Sequence, residues 1–162
     1  WTSNVSGGHE LDLYFGYAGE AGDVEYDAGY IYYAYPGNGN ADINFGEIYG
    51  QASMGMFSAG LAYTVNAGDS NDGGAFDNGD LYIHAGVNGE LEQGWSWEAT
   101  VGMYEFDADG SAGAGDISYA HYQLDLSKTV GDFGDVTFTL SGAEQESGSN
   151  DPKAFVSWAK NF

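Results

Sequence analysis

The stretch Leu81-Tyr82-Ile83-His84-Ala85-Gly86-Val87-Asn88, followed after a short turn at 92–94 by Trp95-Ser96-Trp97-Glu98-Ala99-Thr100-Val101-Gly102-Met103-Tyr104, decides how the chain is read. Leu81, Ile83, Ala85 and Val87 alternate with Tyr82, His84, Gly86 and Asn88. Trp95, Trp97, Ala99, Val101 and Met103 alternate with Ser96, Glu98, Thr100, Gly102 and Tyr104. A period of two marks a strand with one apolar and one polar face, and two such runs joined by a few residues make an antiparallel hairpin.

The pattern recurs on both sides of this hairpin. Upstream, Leu11, Leu13, Phe15 and Tyr17 oppose Asp12, Tyr14, Gly16 and Ala18. Val24, Tyr26, Ala28, Tyr30 and Tyr32 oppose Glu25, Asp27, Gly29, Ile31 and Tyr33, with Ile31 blurring the polar side. Phe57, Ala59, Leu61, Tyr63 and Val65 oppose Ser58, Gly60, Ala62, Thr64 and Asn66. Downstream, Ala120, Tyr122, Leu124 and Leu126 oppose His121, Gln123, Asp125 and Ser127, and Val136, Phe138 and Leu140 oppose Thr137, Thr139 and Ser141. The stretch 43–53 is the least regular, because Glu47 and Gln51 share a parity with Phe45 and Tyr49.

The connectors alternate as well. Those at 18–23, 53–56, 92–94 and 130–135 are short, whereas 36–42, 67–79, 107–115 and 142–152 are longer and rich in Gly, Asp, Asn and Ser. A meander with short turns at one end and long loops at the other is the plan of a transmembrane β-barrel. Strands of roughly 10 to 13 residues, tilted in the usual way, match an apolar band about 25 Å tall. They are longer than those of a soluble β-sandwich, the competing all-β architecture, which average nearer five or six residues. Trp95, Trp97 and Trp158 stand towards the short-turn end and Tyr30, Tyr32, Tyr33 and Tyr35 towards the long-loop end, as two interfacial girdles would.

Composition is consistent with this reading. The 162 residues include 27 Gly, 13 Tyr, 9 Phe and 4 Trp, a balance that favours strands over helices, and no run of about 18 apolar residues is present to cross a membrane as a helix. The absence of cysteine removes disulfides, thiolate metal sites and cysteine nucleophiles. Twenty-five acids against three lysines and no arginine give a net charge of -22, which excludes nucleic acid as a partner and favours cations, or adaptation of the surface to salt.

At the C-terminal end, Ala154, Val156, Trp158 and Phe162 share one parity, so the chain finishes on an aromatic residue in an alternating strand. A barrel's last strand must close against its first and leave no edge in lipid. The five residues Trp1–Val5 read as the end of a further strand. The expectation is therefore a single all-β domain over 1–162, an antiparallel up-and-down transmembrane β-barrel of about ten strand elements. Its N-terminal strands are missing from an even total of about 12.

Glu10-Leu11-Asp12-Leu13-Tyr14, Gly29-Tyr30-Ile31-Tyr32-Tyr33-Ala34-Tyr35-Pro36, Phe45-Gly46-Glu47-Ile48-Tyr49-Gly50 and the ending Lys160-Asn161-Phe162 resemble the TorF-type porin family of proteobacterial outer-membrane proteins. The similarity runs over nearly the whole chain, and the Tyr-rich segment is its most specific part. The resemblance implies a bacterial outer-membrane barrel with a porin role and brings no catalytic residues. Ten to 12 strands enclose at most a narrow passage.

The polar parity carries Asp12, Glu25, Asp27, His84, Glu98, His121 and Asp125, the candidate lumen-lining residues, without lysine or arginine. Such a wall favours small neutral or cationic solutes over anions. The alternative from a different class is a structural or adhesive cell-surface β-protein with cation-binding loops and no open pore. Asp69, Asp72, Asp77, Asp107 and Asp109 in the long loops are candidate calcium ligands, though none follows the EF-hand spacing. His84 and His121, on strands flanking Gly102, form a weaker pair of candidate transition-metal ligands. No enzyme is expected: Ser53 lacks the glycine two residues earlier that a nucleophile elbow requires. The expected partners are outer-membrane lipids, small solutes and, at the open edge, a second copy or another chain.

Overall fold

The computed structural model describes residues 9–36, 43–67, 76–107, 118–145 and 150–160. They form nine strands: β1 (Leu11–Ala21), β2 (Val24–Ala34), β3 (Phe45–Met54), β4 (Phe57–Ala67), β5 (Leu81–Leu91), β6 (Trp95–Glu105), β7 (Tyr119–Thr129), β8 (Asp135–Gln145) and β9 (Lys153–Ala159). The strands make one sheet in sequence order, each paired antiparallel to the next. The chain is thus all-β and up-and-down. The sheet is open among the described residues, with β1 and β9 as its edges. The expected partial element at Trp1–Val5 and the terminal Phe162 lie outside the described residues.

Seven of the nine strands have 11 residues, about 36 Å at 3.3 Å per residue. The short connections are tighter than the sequence indicated. β1 runs on to Ala21, leaving the two-residue turn Gly22-Asp23, and Gly55-Met56 joins β3 to β4 in the same way. Two-residue turns fix the register of the strands they join.

That register carries one face of the sheet intact across all nine strands. The Phe15↔Tyr30, Tyr30↔Ile48 and Ile48↔Tyr63 pairs lead on through Leu61↔Ile83, Ile83↔Met103 and Val101↔Tyr122 to Leu124↔Leu140 and Leu140↔Ala154. The charged strand residues on this face are Glu105, Glu144 and Lys128, each last or next to last in its strand. Its apolar side chains stand open: Phe57 is 61% exposed, Val101 60% and Val156 60%. Among the described residues the one large apolar side chain below a tenth exposure is Phe45, which lies on the other face.

Glu47 and Gln51 share Phe45's parity because that parity is the polar face, so 45–54 forms a regular strand. The irregularity lies across the ladder. Glu47 pairs with Thr64 and Gly46 with Asn66, which leaves Val65 as an extra residue in a β-bulge. Tyr33, which shares the parity of Glu25 and Asp27, lies on the polar face as that alternation indicates and stacks on Phe45 at a ring separation of 4.5 Å, so of the tyrosines grouped at the long-loop end it is not one that faces outward.

Candidate functional site on the polar face

Seven side chains singled out by sequence, Asp12, Glu25, Asp27, His84, Glu98, His121 and Asp125, fall on one face of the sheet, the face opposite the apolar one. Glu20, Glu47 and Glu90 join them. Lys153, paired with Ser141, also lies on this face, so the polar parity is not free of cationic residues as its sequence indicated.

The carboxylates are held by neutral neighbours. Ser53 Oγ donates to Glu25 at 3.4 Å, and Asp27 accepts from Tyr49 OH and Gln51 Nε2, both at 3.4 Å. Thr100 Oγ1 donates to Glu98 at 3.5 Å. Asp125 accepts from Gln123 Nε2 at 2.7 Å and from Thr139 Oγ1. These are cross-strand or same-strand neighbours on one face, where residues two apart or directly opposite meet. Glu25, Asp27, His84 and Glu98 line a groove of about 650 Å³ towards the short-turn end.

The two histidines lie over glycines rather than against each other. A Cβ at Gly60 would collide with His84 Nε2 and one at Gly102 with His121 Nε2, so each ring occupies the space that its cross-strand glycine leaves. His121 Nε2 also shares a hydrogen bond of 2.9 Å with the Tyr82 hydroxyl, across β6. This nitrogen has a protein partner, and the arrangement does not join His84 and His121 in a common metal site. Among the described residues no three His, Asp or Glu side chains come together to hold a metal ion.

Of the loop aspartates, Asp69, Asp72 and Asp109 lie outside the described residues. The backbone N–H groups of Asp77 and Asp107 meet at Asp80, which ends the oxygen-rich run Asp77-Asn78-Gly79-Asp80. Asp80 is fully buried, and its two oxygens each accept one backbone N–H, Oδ2 from Asp77 and Oδ1 from Asp107, both at 2.8 Å. Burial raises the Asp80 carboxyl above its ordinary pKa, while these two donors oppose the rise.

Towards the long-loop end the polar face becomes aromatic. Phe76 stacks on Phe45 at 3.9 Å and stands 6.1 Å from Tyr104, whose hydroxyl reaches across β5 and β4 to donate to Glu47 Oε1 at 3.1 Å. Thr64, itself fully buried, reaches the same oxygen at 3.5 Å. Three strand spacings separate β3 from β6, so a direct side-chain bond between them requires a strongly curled sheet.

The model of a bacterial family described as a protein of unknown function, Gcw_chp, matches residues 1–157. The chain belongs to the Gcw_chp family. No curated protein and no solved structure matches it. The description of the Gcw_chp family carries no activity. Sequence reasoning missed Glu47 and its aromatic surroundings because acids and rings of one parity looked like a broken pattern. The signal that could have found them is that Phe45, Glu47, Tyr49 and Gln51 follow the same period of two as their neighbours, with large side chains on the polar side.

Proposed function

We propose that this Gcw_chp protein is a bacterial outer-membrane β-barrel whose acidic inner face lines a narrow passage for small neutral or cationic solutes. The observation that carries the reading is the inverted distribution of polarity. An uninterrupted apolar face, charged only at strand ends, stands exposed, while carboxylates, hydroxyls and imidazoles occupy the opposite, concave side. A water-soluble sheet buries the first and exposes the second, and a barrel in lipid does the reverse. Strand length fits a tilted span of the hydrocarbon layer. Trp95, Trp97 and Trp158 on the outward parity, near the short turns, fit an interfacial belt. The resemblance to TorF-type porins points the same way.

The acids on the polar face supply the selectivity: Asp12, Glu25 and Asp27 line two adjacent strands with hydroxyl and amide partners. The test is single-channel conductance and the cation/anion permeability ratio in planar bilayers, with an Asp12→Asn, Glu25→Gln, Asp27→Asn variant alongside. Stepwise cation-preferring currents that lose preference in the variant are expected. Silence from a folded, heat-modifiable barrel would overturn the porin reading in favour of a structural surface protein, which the aromatic closure around Phe45 and Phe76 favours.

A further inference from the structure

Tyr33, Phe45, Phe76, Tyr82 and Tyr104, together with Glu10 and Glu47, line a cavity of about 420 Å³ at the long-loop end of the polar face. The rings come from β2, β3, β5, β6 and the segment just before Asp80, so the pocket depends on the curl of the sheet and on the approach of Phe76. Glu47 is its electrostatic centre. It is only 7% exposed, and both of its hydrogen bonds, from Tyr104 and Thr64, go to Oε1. No described residue donates to Oε2.

A buried carboxylate is costly unless a cation or a full set of donors compensates it. The chain has no arginine, and its lysines are on β7, on β9 and just after β9. His121 lines the same cavity, with Nε2 engaged by Tyr82. Aromatic faces attract cations through their quadrupoles, most strongly where water is excluded. A calcium or magnesium ion takes six or more oxygen ligands, and among the described residues no three His, Asp or Glu side chains gather to anchor one. Weakly hydrated positive charge surrounded by carbon matches one buried carboxylate walled by rings.

We infer that this pocket binds an organic ammonium cation of the methylated or quaternary class, with Glu47 as counter-ion and Phe76 and Tyr104 as its walls, Phe45 backing Phe76 from behind. As a statement about the transported solute this rests on the porin reading; as a statement about binding it stands on the pocket alone.

The experiment is isothermal titration of the folded protein in detergent micelles with choline and with its neutral carbon isostere 3,3-dimethylbutanol, at constant ionic strength. Saturable binding of choline and none of the isostere is expected. Glu47→Gln should weaken choline binding about tenfold or more, and Phe76→Leu, which lies outside the strands, several-fold. Absence of saturable choline binding, equal binding of the isostere, or choline binding unchanged in Glu47→Gln with both proteins folded overturns the inference. A protein that binds choline yet passes no current overturns the porin reading alone. One that conducts and does not bind choline overturns this inference alone.

Discussion

Asp80 carries two loops on one carboxylate, and its neighbours make the consequence measurable. Asp80→Ala leaves the N–H groups of Asp77 and Asp107 without their acceptor at a part-buried site, a loss of about 2 kcal/mol. Equilibrium unfolding in urea should show it, with Asp80→Asn retaining part of the stability through its amide oxygen. The pH dependence has a definite sign. Because burial raises the folded carboxyl's pKa, the fold favours the protonated form. The stability this contributes is complete below the unfolded pKa of about 3.9 and is lost as pH rises through the folded value. Wild type should therefore lose ground to Asp80→Asn as pH rises above about 4, and a stability difference that stays flat would contradict this. At this scale the sequence was only partly legible. It located the oxygen-rich loops, but an aspartate that caps backbone and one that binds calcium look alike until the donors around it are known.

Strands were the most legible objects, because a face that must be apolar over 11 residues writes its period directly into the chain. The hairpin 81–105 formed as its alternation required, with Leu81 facing Glu105 and Leu91 facing Trp95. Where reading was harder, at 43–53, the polar face had acquired rings, and the compensating bulge at Val65 sat on a different strand. The two faces of β6 offer the sharpest test of the membrane assignment. Val101→Lys puts a charge at the middle of the apolar face, which in lipid costs about 2–4 kcal/mol. Thr100→Lys, one residue away on the polar face, should cost well under 1 kcal/mol in the same environment. Urea titration of the protein folded into phospholipid vesicles would compare them, and equal penalties would overturn the assignment of the apolar face to lipid.

For the molecule as a whole, alternation and connector lengths made the meander readable, whereas the curl that brings Tyr104 to Glu47 was not, since it depends on contacts between strands far apart in sequence. Closure is the remaining property at this scale. Eight antiparallel steps separate β1 from β9, so the two edge strands of the described sheet run in the same direction. Direct closure would make a parallel seam, and cysteines introduced at Phe15 and Val156 would then test whether those strands come within the roughly 4.4–6.8 Å Cα separation a disulfide needs. We expect no intrachain cross-link, and efficient formation of one would establish the direct seam. The same directionality constrains assembly. Two copies inserted with their loops on one side of a bilayer also meet β1 to β9 in parallel, while an antiparallel junction of like edges requires one copy to be upside down. An all-antiparallel ring in a vectorially inserted membrane therefore needs an odd number of additional strands in each protomer, and pairing of copies alone leaves that parity unresolved.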